Sequence, residues 1–134
     1  MAKYYPEDPI IARKSSITLV LFTLLVLMVV PSDACNLDEH DLHASLPKWL
    51  SHITFKGGDG QKCSNSVIIE NAKNTGEGVA AEKVWISTCY PSAHVKAKAI
   101  SYGDDKIYEV VEIETHKSVI KQICFDVTKF FGSW

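Results

Sequence analysis

Two histidines and three carboxylates crowd into one short stretch: Asp38, Glu39, His40, Asp41 and His43. Imidazole and carboxylate both ligate metals, and His40 and His43, three residues apart, share a face if the segment is helical. Asp38 and Asp41 would complete the set, so these four residues are the candidates for holding an ion. A solvated acidic segment explains the same residues without one, because short His/acid matches arise easily. On that balance no metal and no cofactor is assigned.

The four cysteines, Cys35, Cys63, Cys89 and Cys124, lack the CxxC spacing of zinc sites. In an exported protein they are expected to form disulfides, and three pairings are open. Cys63 is expected to pair with Cys89, tying the loop before a strand to the end of a helix. Cys35 then pairs with Cys124 or stays at a mobile N-terminus, and Cys124, inside a strand, is alternatively a buried thiol. Glu109, Glu112 and Glu114 read as the solvent face of a strand rather than as a catalytic carboxylate pair. No nucleophile elbow, HExxH or kinase-type pattern occurs, and His52, His94 and His116 are dispersed. No residue is assigned a catalytic role.

These side chains hang on one central element. Over residues 71–91 (NAKNTGEGVAAEKVWISTCYP) the pattern predicts a capped helix. Asn74 is the N-cap and Glu77, three residues on, completes a capping box with Asn in place of Ser or Thr. Glu77 and Glu82 lie toward the positive end of the helix dipole. Pro91 stops the helix. Ala81, Val84, Trp85, Thr88 and Cys89 share one face, Val79, Ile86 and Tyr90 a second, and only a strip through Lys83 and Ser87 is polar. Such a helix is covered on more than one side. Gly76 and Gly78 weaken its first turn, which points to close backbone packing there.

The first third of the chain differs from the rest. Lys3, Arg13 and Lys14 precede a run over residues 17–30 (ITLVLFTLLVLMVV). As a helix that run spans about 21 Å, short of the roughly 30 Å hydrocarbon core. Pro31 closes it, and Ser32-Asp33-Ala34 puts small residues at −3 and −1, the layout of a signal peptide cleaved after Ala34. The competing reading is an uncleaved inner-membrane anchor over residues 10–30. A third is a lipoprotein with a lipidated Cys35, although Ser32 and Asp33 fit a lipobox poorly. Residues 1–34 are thus a signal peptide or anchor, and residues 35–134 form one domain with its core over about 53–131.

That domain carries 11 Lys against 13 acidic residues, a balance of −2, and no Arg. A mildly acidic surface without Arg argues against nucleic acid as a partner. Residues 53 and 55 alternate as a brief strand does, residues 57–60 (GGDG) form a turn, and residues 67–70 (VIIE) form a compact strand. After Pro91, Val95, Ala97 and Ala99 alternate with Lys96 and Lys98 as a half-solvated strand. Gly103-Asp104-Asp105 reads as a hairpin turn, residues 106–115 as a strand with a bulge at Val110-Val111, and residues 118–127 as a strand with Ile123, Phe125 and Val127 on one side. Phe130, Phe131 and Trp134 are expected to dock on the core. The expected fold is α+β: one buried helix on a mainly antiparallel sheet of four to five strands.

From Gly58 to Gly132 the chain resembles a group of small exported bacterial proteins with no assigned function. The stretches that carry the likeness are Gly58-Asp59-Gly60, residues 66–74, residues 77–82 with Trp85, Tyr90-Pro91, residues 106–113 and residues 125–132. The chain departs from their pattern at Cys63 and Cys89, and at Ser92, where they have Gly. The resemblance implies a bacterial, exported, stand-alone domain and transfers no site residue. The expected function is non-catalytic binding of a protein or envelope component in the periplasm or outside the cell, with the membrane touched only through the leader or a lipidated Cys35. Two alternatives are an inhibitor or immunity-like protein that inserts a loop over residues 56–62, and a small metal-dependent enzyme that uses His40 and His43.

Overall fold

The computed structural model describes residues 34, 35 and 37–134, so the expected leader, apart from Ala34, lies outside the described residues. Helix α1 (Glu39–Ala44) and a 3-10 turn (Lys48–Leu50) lead into strand β1 (Thr54–Gly57). A second 3-10 turn (Cys63–Asn65) precedes β2 (Val67–Glu70), and helix α2 (Thr75–Cys89) follows. The chain ends with β3 (His94–Gly103), β4 (Lys106–Glu114) and β5 (Ile120–Asp126). The five strands make one sheet in the order β1-β2-β5-β4-β3. Pairing is antiparallel except where β5 lies parallel to β2. The fold is therefore α+β, with α2 linking the β1-β2 hairpin to the β3-β4-β5 meander and packing on one face.

Helix α2 starts and stops where its end residues dictate. Asn74 Oδ1 accepts the Glu77 amide at 2.9 Å, satisfying one of the first-turn donors that have no carbonyl within the helix. Glu77 does not complete the box on Asn74 itself. Its Oε2 accepts the Lys73 amide at 2.9 Å and faces His52 Nε2 at 2.7 Å, which fastens the helix start to the turn before β1. Gly78 is the close-packing position: a Cβ there would collide with the Phe130 ring. Below it Ala81, Trp85 and Ile86 are buried, and Trp85 meets Phe125 of β5 edge-on with ring centres 5.5 Å apart. Sheet residues Phe55, Ile69, Val111, Ile113, Ile123 and Phe125, with Leu42 of α1, complete this core.

Three expectations about the strands change. The bulge lies in β3, between Val95 and Ala97, and β4 runs in unbroken register with β5 from Tyr108 to Glu114. With no bulge in β4, strict alternation puts Glu109 on the same face as Val111 and Ile113, toward the helix, while Glu112 and Glu114 point away. The extra residue in β3 likewise moves Lys98 opposite Val111 on the helix side and leaves Ala97 and Ala99 on the far face. Every residue of β3 is exposed, in keeping with its place at the edge of the sheet. The two-residue turn before β4 is as expected, with Asp104 and Asp105 both at positive φ, as a tight hairpin requires.

The aromatic tail is only partly docked. Phe130 is buried, but Phe131 is exposed and Trp134 is 98% exposed. Ser92 adopts φ 65°, in the left-handed backbone region that favours glycine.

All four cysteines are in disulfides, in a pairing other than Cys63 with Cys89. Cys35 joins Cys89, and Cys63 joins Cys124. The cause is the sheet order. β5 sits beside β2, so the loop entering β2 lies against β5, where the Cys124 amide donates to Gly60 O at 2.7 Å. Cys63 therefore meets the strand rather than the helix end, which is left to Cys35. Among the described residues no helix is long and apolar enough to cross a membrane.

Candidate functional site

Between α1, the end of β1 and the flank of α2 lies a cleft of about 450 Å³, within the size range of small-molecule or side-chain pockets. Its floor is apolar: Leu37, Leu42, Phe55 and Trp85 line it. Phe55 is there because alternation on β1 turns it inward, and Trp85 because it sits on the buried stripe of α2. The wall opposite α1 is the glycine turn, Gly57 and Gly58, where the backbone itself faces the cleft. Gly57 has φ 84°, and a Cβ on Gly58 would collide with the Asn65 side chain. This turn is closely held. Gly58 N donates to Ser66 O at 3.0 Å, Gly60 N to Asn65 O at 2.9 Å, and Asp59 Oδ1 accepts from Gln61 N and Asn65 Nδ2, both at 3.0 Å.

Both disulfides brace the cleft. Cys35–Cys89 ties the chain entering α1 to the end of α2, and Cys63–Cys124 ties the glycine loop to β5. Three charged residues line it: Glu39, Asp59 and Lys56. Lys56 Nζ is engaged with Glu70 at 3.2 Å. Among the described residues no lysine pairs with Glu39 or Asp59, so the mouth keeps an excess of negative charge. A second cleft of about 420 Å³ is lined by Glu70, Asp126, Lys106 and Lys129 among others. There the charges are spent on one another, with Lys129 3.2 Å from Glu70 and Lys106 3.7 Å from Asp126. The Glu70 carboxyl is held below its usual pKa by its hydrogen bonds with Lys129 and Lys56.

A third constellation lies inside the molecule. Glu82 is 0% exposed, on the same i±4 row of α2 as Gly78 and Ile86. Lys98 Nζ of β3 stands 3.3 Å from Glu82 Oε2 and 3.1 Å from Glu109 Oε1, bridging the two carboxyl groups. Glu82 Oε1 makes no hydrogen bond. Burial pushes the Glu82 pKa up to about 8, the neighbouring Glu109 charge adds to this, and Lys98 opposes it. Partial burial would lower the Lys98 ammonium, but the Glu82 and Glu109 carboxyls outweigh it and hold its pKa above the usual lysine value.

The expected metal set is not brought together as four residues. Asp38, His40 and Asp41 place ligand atoms within 4.8 Å of one another, all exposed. Asp38 Oδ1, however, caps α1 by accepting the Asp41 amide at 2.8 Å, and His43 Nε2 is turned to Ser51 O at 2.9 Å. Asn74 caps α2, Glu77 binds the Lys73 amide and His52 instead of closing a box on Asn74, and Ala81 and Trp85 are buried, with Trp85 also lining the cleft. Sequence reasoning missed Glu82 as a buried group. The available signal was its place four residues from both Gly78 and Ile86 on an otherwise apolar row. A comparison with protein families, with individual proteins and with solved structures finds no match to this chain.

Proposed function

We propose that this chain is an exported, non-catalytic bacterial domain that binds a protein or an envelope component through the cleft between α1 and the glycine turn. The observation that carries the reading is the cleft's construction: an apolar floor, an acidic mouth, and walls fixed by two disulfides. Walls held in place before binding lose little freedom when a partner arrives, which favours affinity. A long basic side chain suits the space, its methylene stem lying on Trp85 and Phe55 and its cation at Glu39 and Asp59. Two disulfides suit an oxidising compartment, in keeping with the leader expected before residue 35.

The rigid glycine turn also favours a second reading of the same surface, an inhibitor or immunity-like protein in which residues 56–62 enter a partner's cleft. One experiment separates the two. The disulfide-bonded domain, its Leu37→Lys and Glu39→Lys variants, and a Gln61→Glu variant on the loop are immobilised and exposed to envelope extract of the native host. A partner lost with Leu37→Lys and Glu39→Lys supports the cleft. A partner lost only with Gln61→Glu supports the inserted loop. Equal capture by all four overturns both.

A further inference from the structure

We propose that Glu82, Glu109 and Lys98 form a proton-loaded latch that fastens edge strand β3 onto helix α2 and strand β4, and that loss of the proton loosens β3. The geometry assigns the proton. Two carboxyl groups share one ammonium, with Lys98 Nζ 3.3 Å from Glu82 and 3.1 Å from Glu109. If both acids were ionised, the site would hold a net negative charge in a space where Glu82 is wholly shielded from water. Such a charge is expensive to bury unless fully paired. Glu82 Oε1 has no hydrogen-bond partner, a modest cost for the carbonyl oxygen of a neutral acid and a much larger one for half of a carboxylate. With one proton on Glu82 the cluster becomes Glu82-COOH, Glu109-COO⁻ and Lys98-NH₃⁺, which is neutral. The Glu109 carboxylate, held by the same ammonium at 3.1 Å, supplies the one negative charge that balances it.

Glu109, with a side chain 11% exposed, and Lys98, with one 33% exposed, place the cluster between core and surface, which gives the proton a route to solvent. The charged groups that act on Glu82 are Lys98 from β3 and Glu109 from β4. From β5 the register neighbours of Glu109 and Val111 are Phe125 and Ile123, which do not titrate. On α2 the residues one turn away are Gly78 and Ile86, and the nearby Lys96 is occupied with Glu114 at 3.0 Å. β3 depends on this cluster because it is an edge strand, exposed along its length, and Lys98 ties it to the helix through Glu82. Opening β3 hydrates Glu82, which then gives up its proton at neutral pH. The opening equilibrium of β3 therefore rises about tenfold per pH unit between the hydrated and the buried titration midpoints of Glu82.

The test combines two measurements on the disulfide-bonded domain. Carbon-13 NMR of the glutamate carboxyls follows Glu82 against pH, and amide hydrogen exchange, corrected for intrinsic base catalysis, gives the β3 opening constant from pH 5 to 8. The expected results are a Glu82 midpoint well above the ordinary glutamate range, and a β3 opening constant that climbs with pH in the native sequence but is flat in Glu82→Gln. Lys98→Met serves as a second variant, with β3 protection lost relative to β5 across the whole range. An ordinary Glu82 midpoint, or β3 opening with the same pH dependence in Glu82→Gln as in the native sequence, overturns the latch.

Discussion

Replacing Glu82 by Gln should make this protein more stable at mildly alkaline pH and leave it little changed near pH 5. Glutamine keeps the volume and polarity of the protonated acid but has no proton to lose. In the native chain the folded state binds that proton up to about pH 8, whereas a hydrated glutamate releases it near 4.5. Because the folded pKa lies above the unfolded one, the stability from the protonated acid is fully present below about 4.5. It is lost as pH rises through about 8. Within that window unfolding stability should fall by about 1.4 kcal/mol per pH unit, and by roughly 3 to 5 kcal/mol in total. Glu70 and Glu77, whose pKa values are lowered, act in the opposite sense. Their contribution is present above about 4.5 and disappears only as pH falls below it, so it leaves the window clear. Urea unfolding at half-unit pH steps from 5 to 8.5, on both proteins with disulfides intact, measures the slope. The native protein should lose stability across the window while Glu82→Gln stays nearly level, the curves meeting near pH 5. Parallel curves would refute the claim that Glu82 holds a proton in the folded state.

Other consequences follow from the same packing. Replacing Cys63 and Cys124 by Ser together opens a link across a sequence separation of 61, which loop-closure entropy puts at about 4 kcal/mol; thermal unfolding should register this as a large drop in Tm. Gly78→Val drives a branched side chain into the Phe130 ring and should cost about 1 to 3 kcal/mol by overpacking, with Phe130 ring resonances shifting most in NMR spectra. Asn74→Ala removes the acceptor for the Glu77 amide and should cost about 1 kcal/mol, read by urea unfolding, with amide exchange speeding up first at residues 75–78.

Much of the frame is legible from local chemistry. Asn74 and Pro91 mark the ends of α2, VIIE gives β2 to the residue, and the Gly-Asp-Asp turn places the β3–β4 hairpin, because caps, breakers and turn residues act within a few positions. What escapes depends on register or on distant neighbours. A bulge at Val110-Val111 would turn Glu109 to solvent, whereas the bulge at Lys96 leaves β4 regular and sends Glu109 and Lys98 to the helix side. Cys63 pairs with Cys124 only because β5 inserts beside β2, a parallel contact that nothing within either segment announces. The cleft follows from the same long-range arrangement: Leu37, Phe55, Gly58 and Trp85 lie on four different segments, and no motif joins them.

The most direct test of the binding account is capture from native envelope extract by the disulfide-bonded domain, compared with Leu37→Lys and Glu39→Lys, followed by calorimetry on the captured component once purified. Both substituted positions are exposed, so the fold should survive. The account predicts one component bound by the native domain, weakened at least tenfold by either substitution, and contacting the cleft through a basic side chain. Binding that is indifferent to both substitutions would contradict it.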